Sequence, residues 1–181
     1  MIITLGWLKM DYESLGLKII NEFITVEEEQ AILDSIENKE KRKTNKGKGR
    51  NSIRRYGSDK PYKGNIISKS IPDFLVNVSE KLVSSNLIEE MPDSVSINEY
   101  LTGQEISYHI DSKESGKVIS VLSLMNKATM LFRKKKEIIR VELPPRCLTQ
   151  LRGEIRNHWE HAISPVTNTR YSIVFRCSEK G

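Results

Sequence analysis

The chain has few of the features that mark secreted or membrane proteins. Its two cysteines, Cys147 and Cys177, are too few for a disulfide framework, which favours a reducing compartment. No segment approaches the roughly 20 apolar residues that a membrane-spanning helix needs, and the first residues carry no basic leader. These absences predict an intracellular protein, cytoplasmic or nuclear, with no membrane partner.

Histidine is also scarce. The chain has only three, at positions 109, 158 and 161, so any histidine-based metal site must draw on these. The 181 residues predict a single domain over 1–181, and we expect a monomer. The formal net charge of +5 favours an anionic partner such as nucleic acid.

Residues 1–93 carry the signals for helices. Thr25 and Glu28 form a capping box ahead of an apolar stripe, which predicts a helix that ends near Asn38. Apolar residues at helical spacing predict a second helix from about Pro72 to Ser84, with proline in its first turn. Both helices are expected to pack against a β core.

A basic, glycine-containing stretch separates the two helices and predicts a mobile loop. Two interpretations remain open, a solvated loop and an arm that contacts nucleic-acid phosphates. Tyr56 and Tyr62 follow it and could stack on bases or pack in the core. The candidate nucleic-acid contacts are Lys41, Arg42, Lys43, Lys46, Lys48, Arg50, Arg54, Arg55 and Tyr56, together with Lys113 further along the chain.

Residues 94–177 change to short segments with alternating polarity. The apolar run Val118–Leu124 predicts a strand buried on both faces, and Lys134–Lys136 predicts a turn between two strands. Many short strands with turn signals are typical of a sandwich or barrel. Together with the preceding helices, they predict an α+β fold.

His109 and Asp111 are two residues apart, which on a strand directs both side chains to one face. A third ligand could come from His158 or His161, and spacing alone does not decide between them. Two imidazoles and a carboxylate form the facial triad of Fe(II) oxygenases, while catalytic zinc is the competing interpretation.

Arg170 and Arg176 lie six residues apart and share one face of a predicted strand. An inward-facing arginine needs an anion, and a carboxylate bound by both guanidinium nitrogens fits best. The alternative is a pair of surface arginines on an edge strand. An acidic co-substrate favours iron over zinc for the metal.

The same residues resemble the AlkB family of Fe(II)- and 2-oxoglutarate-dependent dioxygenases. The segment from Asn98 to Asp111 is similar to the family's Asn-x-Tyr, Gly, Ile and His-x-Asp signature. Residues 153–163 resemble its Gly-Glu-x-Arg and aromatic-x-His-Gly-Ile block, with Ala162 in place of glycine. Residues 170–176 look like its Arg-x5-Arg strand, and the resemblance covers roughly Ser94 to Cys177.

The resemblance implies a double-stranded β-helix, or jelly roll, that uses Fe(II), 2-oxoglutarate and O2. It selects His161 over His158 as the third ligand beside His109 and Asp111, and leaves His158 to packing or to support of the ligands. For 2-oxoglutarate, it implies Tyr100 and Arg170 at the distal carboxylate and Asn98 and Arg176 near the chelating end. Ser172 stands where the family often has asparagine.

The activity implied is oxidative demethylation or hydroxylation of alkylated bases in DNA or RNA, as in repair. One departure concerns the base: family members often carry a second acid two positions after the aspartate, where this chain has Lys113. The alternatives are oxidation of a protein side chain and an inactive nucleic-acid-binding module.

Overall fold

The computed structural model describes residues 12–39, 52–58 and 69–178. Six of the candidate nucleic-acid contacts lie outside these ranges and stay predictions, as does the packing of Tyr62. They are Lys41, Arg42, Lys43, Lys46, Lys48 and Arg50.

Ten strands lie in the described ranges and form two antiparallel sheets. The larger sheet contains β1 (Leu17–Ile20), β2 (Ser52–Gly57), β3 (Ser94–Tyr100), β5 (Ile119–Leu124), β8 (Leu148–Leu151) and β10 (Arg170–Arg176), in the order β1-β8-β5-β10-β3-β2. The smaller sheet contains β4 (Ile106–His109), β6 (Ala128–Lys134), β7 (Glu137–Leu143) and β9 (Glu160–Ile163), in the order β4-β9-β6-β7. The buried run predicted at Val118–Leu124 is β5, and the lysine turn joins β6 to β7.

The two sheets face each other across a shared apolar core. Ile119 and Val121 from β5 pack in one cluster with Met130 and Phe132 from β6. This arrangement of facing antiparallel sheets confirms the predicted α+β jelly-roll class. The space between the sheets also contains the polar side chains that are described below.

Helices α1 (Val26–Lys39) and α2 (Asp73–Ser84) cover the other face of the larger sheet. Their residues Ile36 and Leu82 share a buried cluster with Ile97 and Ile173 of the sheet. The predicted capping box is present: the Thr25 N–H donates to the Glu28 carboxylate at 2.7 Å, and the Glu28 N–H donates to Thr25 Oγ1 at 3.1 Å. No described helix has the length and apolar character that crossing a membrane requires.

The alternation along β3 and β10 separates the apolar side chains from the polar ones. Residues such as Ile97 and Ile173 face the helices, whereas Asn98 and Ser172 face the smaller sheet. The antiparallel register pairs Arg170 with Tyr100 and Ser172 with Asn98. All the residues assigned to 2-oxoglutarate therefore point into one space between the sheets.

Strand β2 corrects the prediction of a mobile loop that continues through Arg54 and Arg55. Because β2 pairs with β3, it adds an edge strand to the larger sheet. The Arg54 guanidinium lies 3.6 Å from the carboxylate of Glu99 on β3 and donates to the Ile36 carbonyl of α1, so this side chain links β2 to both elements. Tyr56 is 6% exposed and packs in the core, so its assignment to base stacking is wrong. Arg55 is exposed and stays a candidate contact.

Candidate metal and co-substrate site

His109, Asp111 and His161 come together at one end of the space between the sheets. His109 is the last residue of β4, and its register partner on β9 is His161. The imidazole centroids are 4.3 Å apart, and His161 Nε2 lies 3.6 Å from Asp111 Oδ2. One potential ligand atom from each residue lies within 4.8 Å of the others. This convergence was predicted from the sequence.

The structure places Asp111 and His158 on other elements than the sequence predicted. Strand β4 ends at His109, so alternation along a strand does not position Asp111. His158 lies at the end of α3 (Gly153–His158) rather than on an extended segment. Its side chain is 63% exposed, with Nε2 4.0 Å from a Glu154 oxygen, so the expected packing or supporting role of His158 is wrong.

The surroundings keep Asp111 and His161 in the forms that bind a metal. Burial lowers the pKa of His161 to about 4, and His109 and Arg176 act in the same direction. Burial alone would raise the pKa of Asp111, but Arg176 and the two imidazoles outweigh it and hold that pKa below its usual value. At neutral pH the site therefore presents a carboxylate and a neutral His161.

His109 has a fixed orientation. Its Nδ1 lies 2.9 Å from the Ser107 carbonyl, which accepts a hydrogen bond only if Nδ1 carries the proton. Nε2 is then the unprotonated nitrogen that can bind a metal. A backbone carbonyl that orients a histidine in this way is a common feature of metal sites.

Arg156 holds the segment that carries Asp111. It lies on α3, is 2% exposed, and donates to the carbonyls of Asp111 and Ser112 at 3.0 and 2.6 Å. Because α3 leads directly into β9, Arg156 links the Asp111 segment to the element that carries His161. This role of Arg156 was not predicted from the sequence, although Arg156 is the arginine of the Gly-Glu-x-Arg block that resembles the family.

We expect Arg156→Met to weaken binding of Mn(II) by about 10- to 100-fold, the usual cost of losing a residue that supports metal ligands. Arg156→Lys should recover part of the affinity because it restores one donor. The measurement is Mn(II) titration followed by electron paramagnetic resonance, with thermal unfolding of the metal-free chain. The control is Arg140→Met, an exposed arginine on β7. Equal Mn(II) affinity in all four proteins would contradict this role.

A cavity of about 640 Å³ extends from the three candidate ligands between the sheets. Asn98, Tyr100, Arg170, Ser172 and Arg176 all line it. Its remaining walls are largely apolar, with Val121, Met130, Leu143, Ile163 and Val174 among the lining residues. Most of the polar residues that line the cavity were therefore predicted from the sequence.

Arg170 is the buried cation of this cavity. The side chain is fully buried, and its Nη2 donates to Ser123 Oγ at 3.0 Å. Within the described part of the chain, Nε and Nη1 have no hydrogen-bond partner. Two buried donors on one guanidinium are costly unless an acceptor satisfies them, so the residue fits a bound carboxylate.

Tyr100 lies beside Arg170, with the guanidinium 5.3 Å from its ring centroid. Burial raises the pKa of Tyr100, although Arg170 opposes the effect, so the hydroxyl remains a hydrogen-bond donor at neutral pH. Asn98 donates to Ser172 Oγ at 3.4 Å in the middle of the cavity. These residues line a polar path between Arg170 and the metal ligands.

Arg176 lies at the metal end of the same strand. It donates to Asp111 Oδ1 at 3.2 Å and to Ser96 Oγ at 2.8 Å. Arg170 and Arg176 therefore lie toward opposite ends of the cavity, as the family resemblance implied for the two ends of 2-oxoglutarate. The donor set fits Fe(II), and the buried arginine at the far end fits 2-oxoglutarate.

Residues 16–176 match the model of the 2OG-Fe(II) oxygenase superfamily. The chain belongs to this superfamily. The match begins well upstream of the motifs, so β1 and α1 belong to the family domain as well as the jelly-roll core. The chain is accordingly an AlkB-like dioxygenase, and its family uses Fe(II), 2-oxoglutarate and O2.

Similar proteins include tRNA (carboxymethyluridine(34)-5-O)-methyltransferase alkbh8 from Xenopus tropicalis, which is 31% identical over 159 residues. The alignment covers 83% of this chain and 25% of that protein. Its Mus musculus counterpart is 30% identical over 173 residues, which cover 88% of this chain and 26% of the relative. The chain thus spans about a quarter of the length of these relatives. An uncharacterized protein of Acanthamoeba polyphaga mimivirus is 29% identical, with 89% of this chain and 84% of the relative covered.

Solved structures resemble the chain in fold. OsALKBH1 superposes with a TM-score of 0.66 at 16% identity, over 89% of this chain and 97% of its own. A prolyl hydroxylase from Trichoplax adhaerens, solved with a peptide of hypoxia inducible factor, has a TM-score of 0.64 at 15% identity, over 92% and 85%. At these identities the likeness concerns the fold alone.

Proposed function

We propose that the chain oxidises a modified base in nucleic acid, by demethylation or hydroxylation. In this proposal His109, Asp111 and His161 bind Fe(II). Tyr100, Arg170 and Ser172 bind the distal part of 2-oxoglutarate, while Asn98 and Arg176 lie near its chelating end. The single observation that carries the proposal is the convergence of the three candidate ligands at one end of a cavity whose other end contains buried Arg170.

The protein's own groups prepare the site for this chemistry. Arg176 keeps Asp111 ionised, and the Ser107 carbonyl engages His109 Nδ1, which leaves Nε2 as the nitrogen that would bind the metal. Arg156 holds the backbone that carries Asp111. Bound Fe(II), with 2-oxoglutarate and O2, supplies the oxidation of a C–H bond, and 2-oxoglutarate becomes succinate and carbon dioxide. The apolar walls limit access of water to this region.

The choice of nucleic acid rests on the relatives and on charge. Two relatives are named for the modification of a uridine in tRNA, and the chain carries a formal net charge of +5. Exposed Arg55 and Lys113 remain candidate phosphate contacts within the described residues, beside the basic stretch at 41–50. A base in a duplex must be extruded at a cost of a few kcal/mol, so loops and single strands are favoured substrates.

The test is turnover of 2-oxoglutarate by the purified chain with Fe(II). Candidate substrates are tRNA with its natural modifications, methylated DNA and RNA oligonucleotides, and methylated peptides, each beside its unmodified form. We expect modified nucleic acid to stimulate succinate formation and to gain oxygen or lose a methyl group as formaldehyde, as measured by mass spectrometry. Stimulation by peptides alone would assign the activity to a protein side chain.

The inactive binding module is tested by a pair of variants. His161→Ala removes a proposed ligand, and reversal of charge at the basic residues from Lys41 to Arg50 removes the basic stretch but leaves β2 intact. We expect loss of oxidation in the first variant and weakened nucleic-acid binding in the second. Cellular function that survives His161→Ala but not charge reversal would favour binding without catalysis.

A further inference from the structure

The turn between β6 and β7 is a basic segment that the proposed metal and co-substrate site does not use. Lys135 and Lys136 form this turn, and Lys134 pairs with Glu137 across the two strands beside it. With Arg133, these lysines make a run of four consecutive basic residues. We name Lys135 and Lys136 the turn lysines, and both are exposed. The segment therefore presents positive charge at the surface.

The register of the smaller sheet places the turn lysines near the candidate metal ligands. Phe132 on β6 pairs with His161 on β9. A strand advances by about 3.3 Å per residue, so Lys135 lies about 10 Å along the strand from the level of His161. The turn lysines are thus just beyond the end of the sheet at which the proposed metal site lies.

The two basic residues before the turn are already paired. Arg133 donates to the Glu160 carboxylate at 2.8 and 3.0 Å, and its guanidinium lies 4.0 Å from the ring centroid of Tyr108. Lys134 forms an ion pair with Glu154. By contrast, no carboxylate in the described ranges forms an ion pair with either turn lysine. The turn therefore carries two positive charges that local contacts leave uncompensated.

The backbone of the turn does not favour lysine. Lys135 has φ of +54°, in the left-handed region that glycine and asparagine adopt most readily. Two-residue hairpin loops usually have glycine or asparagine at such a position. Local stability therefore does not account for the lysine at position 135. Departures of this kind from local preference are expected where a side chain serves function.

From these contacts we infer that the turn lysines bind phosphates of the single-stranded nucleic acid that flanks the target base. Lysine contacts to phosphates supply affinity without reading sequence, and they fix the position of the strand. The turn would in this way hold the substrate across the end of the smaller sheet, beside the metal site. This inference rests on the proposed function and adds a docking surface that lies apart from the basic stretch at 41–50.

The experiment compares two pairs of substitutions that change the net charge equally. The turn variant is Lys135→Gln with Lys136→Gln. The control is Lys18→Gln with Lys127→Gln, which are exposed lysines on β1 and before β6. Fluorescence anisotropy with a labelled single-stranded RNA oligonucleotide gives the affinity over a range of KCl concentrations. The slope of log affinity against log salt concentration reports the number of phosphate contacts.

We expect the turn variant to reduce the magnitude of this slope by about 1.4, because each contact to a single strand contributes about 0.7. Its affinity at about 0.1 M salt should fall by roughly 10- to 30-fold. The control pair should change both quantities less, since salt screens charges that lie beyond about 10 Å from the bound strand.

A single substitution, Lys135→Gly, separates phosphate binding from a structural role. Glycine relieves the left-handed backbone, so we expect the melting temperature to rise by about 1–4 °C. The same substitution should reduce the magnitude of the salt slope by about 0.7, because it removes one phosphate contact. A lysine that served only the fold would not give a more stable protein with weaker binding.

Equal slopes and affinities in the turn variant and the control pair would overturn the role of the turn lysines. If the wild type still oxidised modified nucleic acid, the proposed function would stand without this surface. A lowered slope in the turn variant, with no oxidation of any nucleic acid by the wild type, would keep the surface and overturn the proposed chemistry. A wild type that binds no oligonucleotide would overturn both.

Discussion

We expect Asp111→Ala to abolish detectable oxidation and to lower Mn(II) affinity by more than about 100-fold, since loss of a supporting residue alone costs about 10- to 100-fold. The carboxylate is the anionic member of the proposed triad, and no other described acid lies within the cluster. The substitution also leaves the Arg176 guanidinium without its contact to Oδ1, so the site becomes more positive where a cation must bind. Loss of the carboxylate and the uncompensated charge of Arg176 thus both lower the affinity for Mn(II).

The Asp111 experiment includes two further variants. Asp111→Asn keeps the size of the side chain and removes its charge, so it should resemble alanine in metal binding. Asp73→Asn at the start of α2 is the matched control, since it lies on the surface away from the cavity. Mn(II) binding, 2-oxoglutarate turnover and thermal unfolding are measured for each. Wild-type Mn(II) affinity in Asp111→Ala would exclude Asp111 as a ligand.

We expect Arg170→Met to raise KM for 2-oxoglutarate by at least ~30-fold, because truncating one partner of a buried charged pair costs about 2–5 kcal/mol. Arg170→Lys should recover little of this loss, since an ammonium cannot reproduce the planar fork that binds a carboxylate. The affinity for Mn(II) should change far less than in Asp111→Ala. Steady-state kinetics over a range of 2-oxoglutarate concentrations give the comparison, with Arg140→Met as control.

Although Arg170→Met should weaken 2-oxoglutarate binding, it should stabilise the chain when no co-substrate is bound. Without 2-oxoglutarate, wild-type Arg170 buries two nitrogens, Nε and Nη1, whose N–H groups have no described partner. Arg170→Met removes them, so we expect the free energy of unfolding of the co-substrate-free chain to rise by about 1 kcal/mol or more. Addition of 2-oxoglutarate should stabilise the wild type but not the variant. An unchanged KM, or equal stabilisation of both proteins, would contradict the role of Arg170.

Much of the site could be predicted because its residues lie on regular strands. Alternation along β10 directs Arg170, Ser172 and Arg176 to one face, and antiparallel pairing brings Asn98 and Tyr100 beside them. The helices could be predicted for a similar reason, since Thr25 and Glu28 make local contacts that the sequence shows directly. Short-range patterns determine these parts of the fold.

Contacts that are distant in sequence could not be predicted in the same way. Asp111 lies beyond the end of its strand and depends on Arg156, which is 45 positions away. In the sequence Arg54 belongs to a basic stretch, whereas in the structure it lies on β2 and pairs with Glu99. Each depends on tertiary packing rather than on local pattern.

The most direct test is anomalous diffraction from crystals grown with Mn(II) and N-oxalylglycine, an inert analogue of 2-oxoglutarate. A single manganese peak is expected within bonding distance of His109, Asp111 and His161, with the analogue chelating it and its far carboxylate bound to Arg170. A manganese ion bound elsewhere, or His161 directed away from it, would contradict the proposed site.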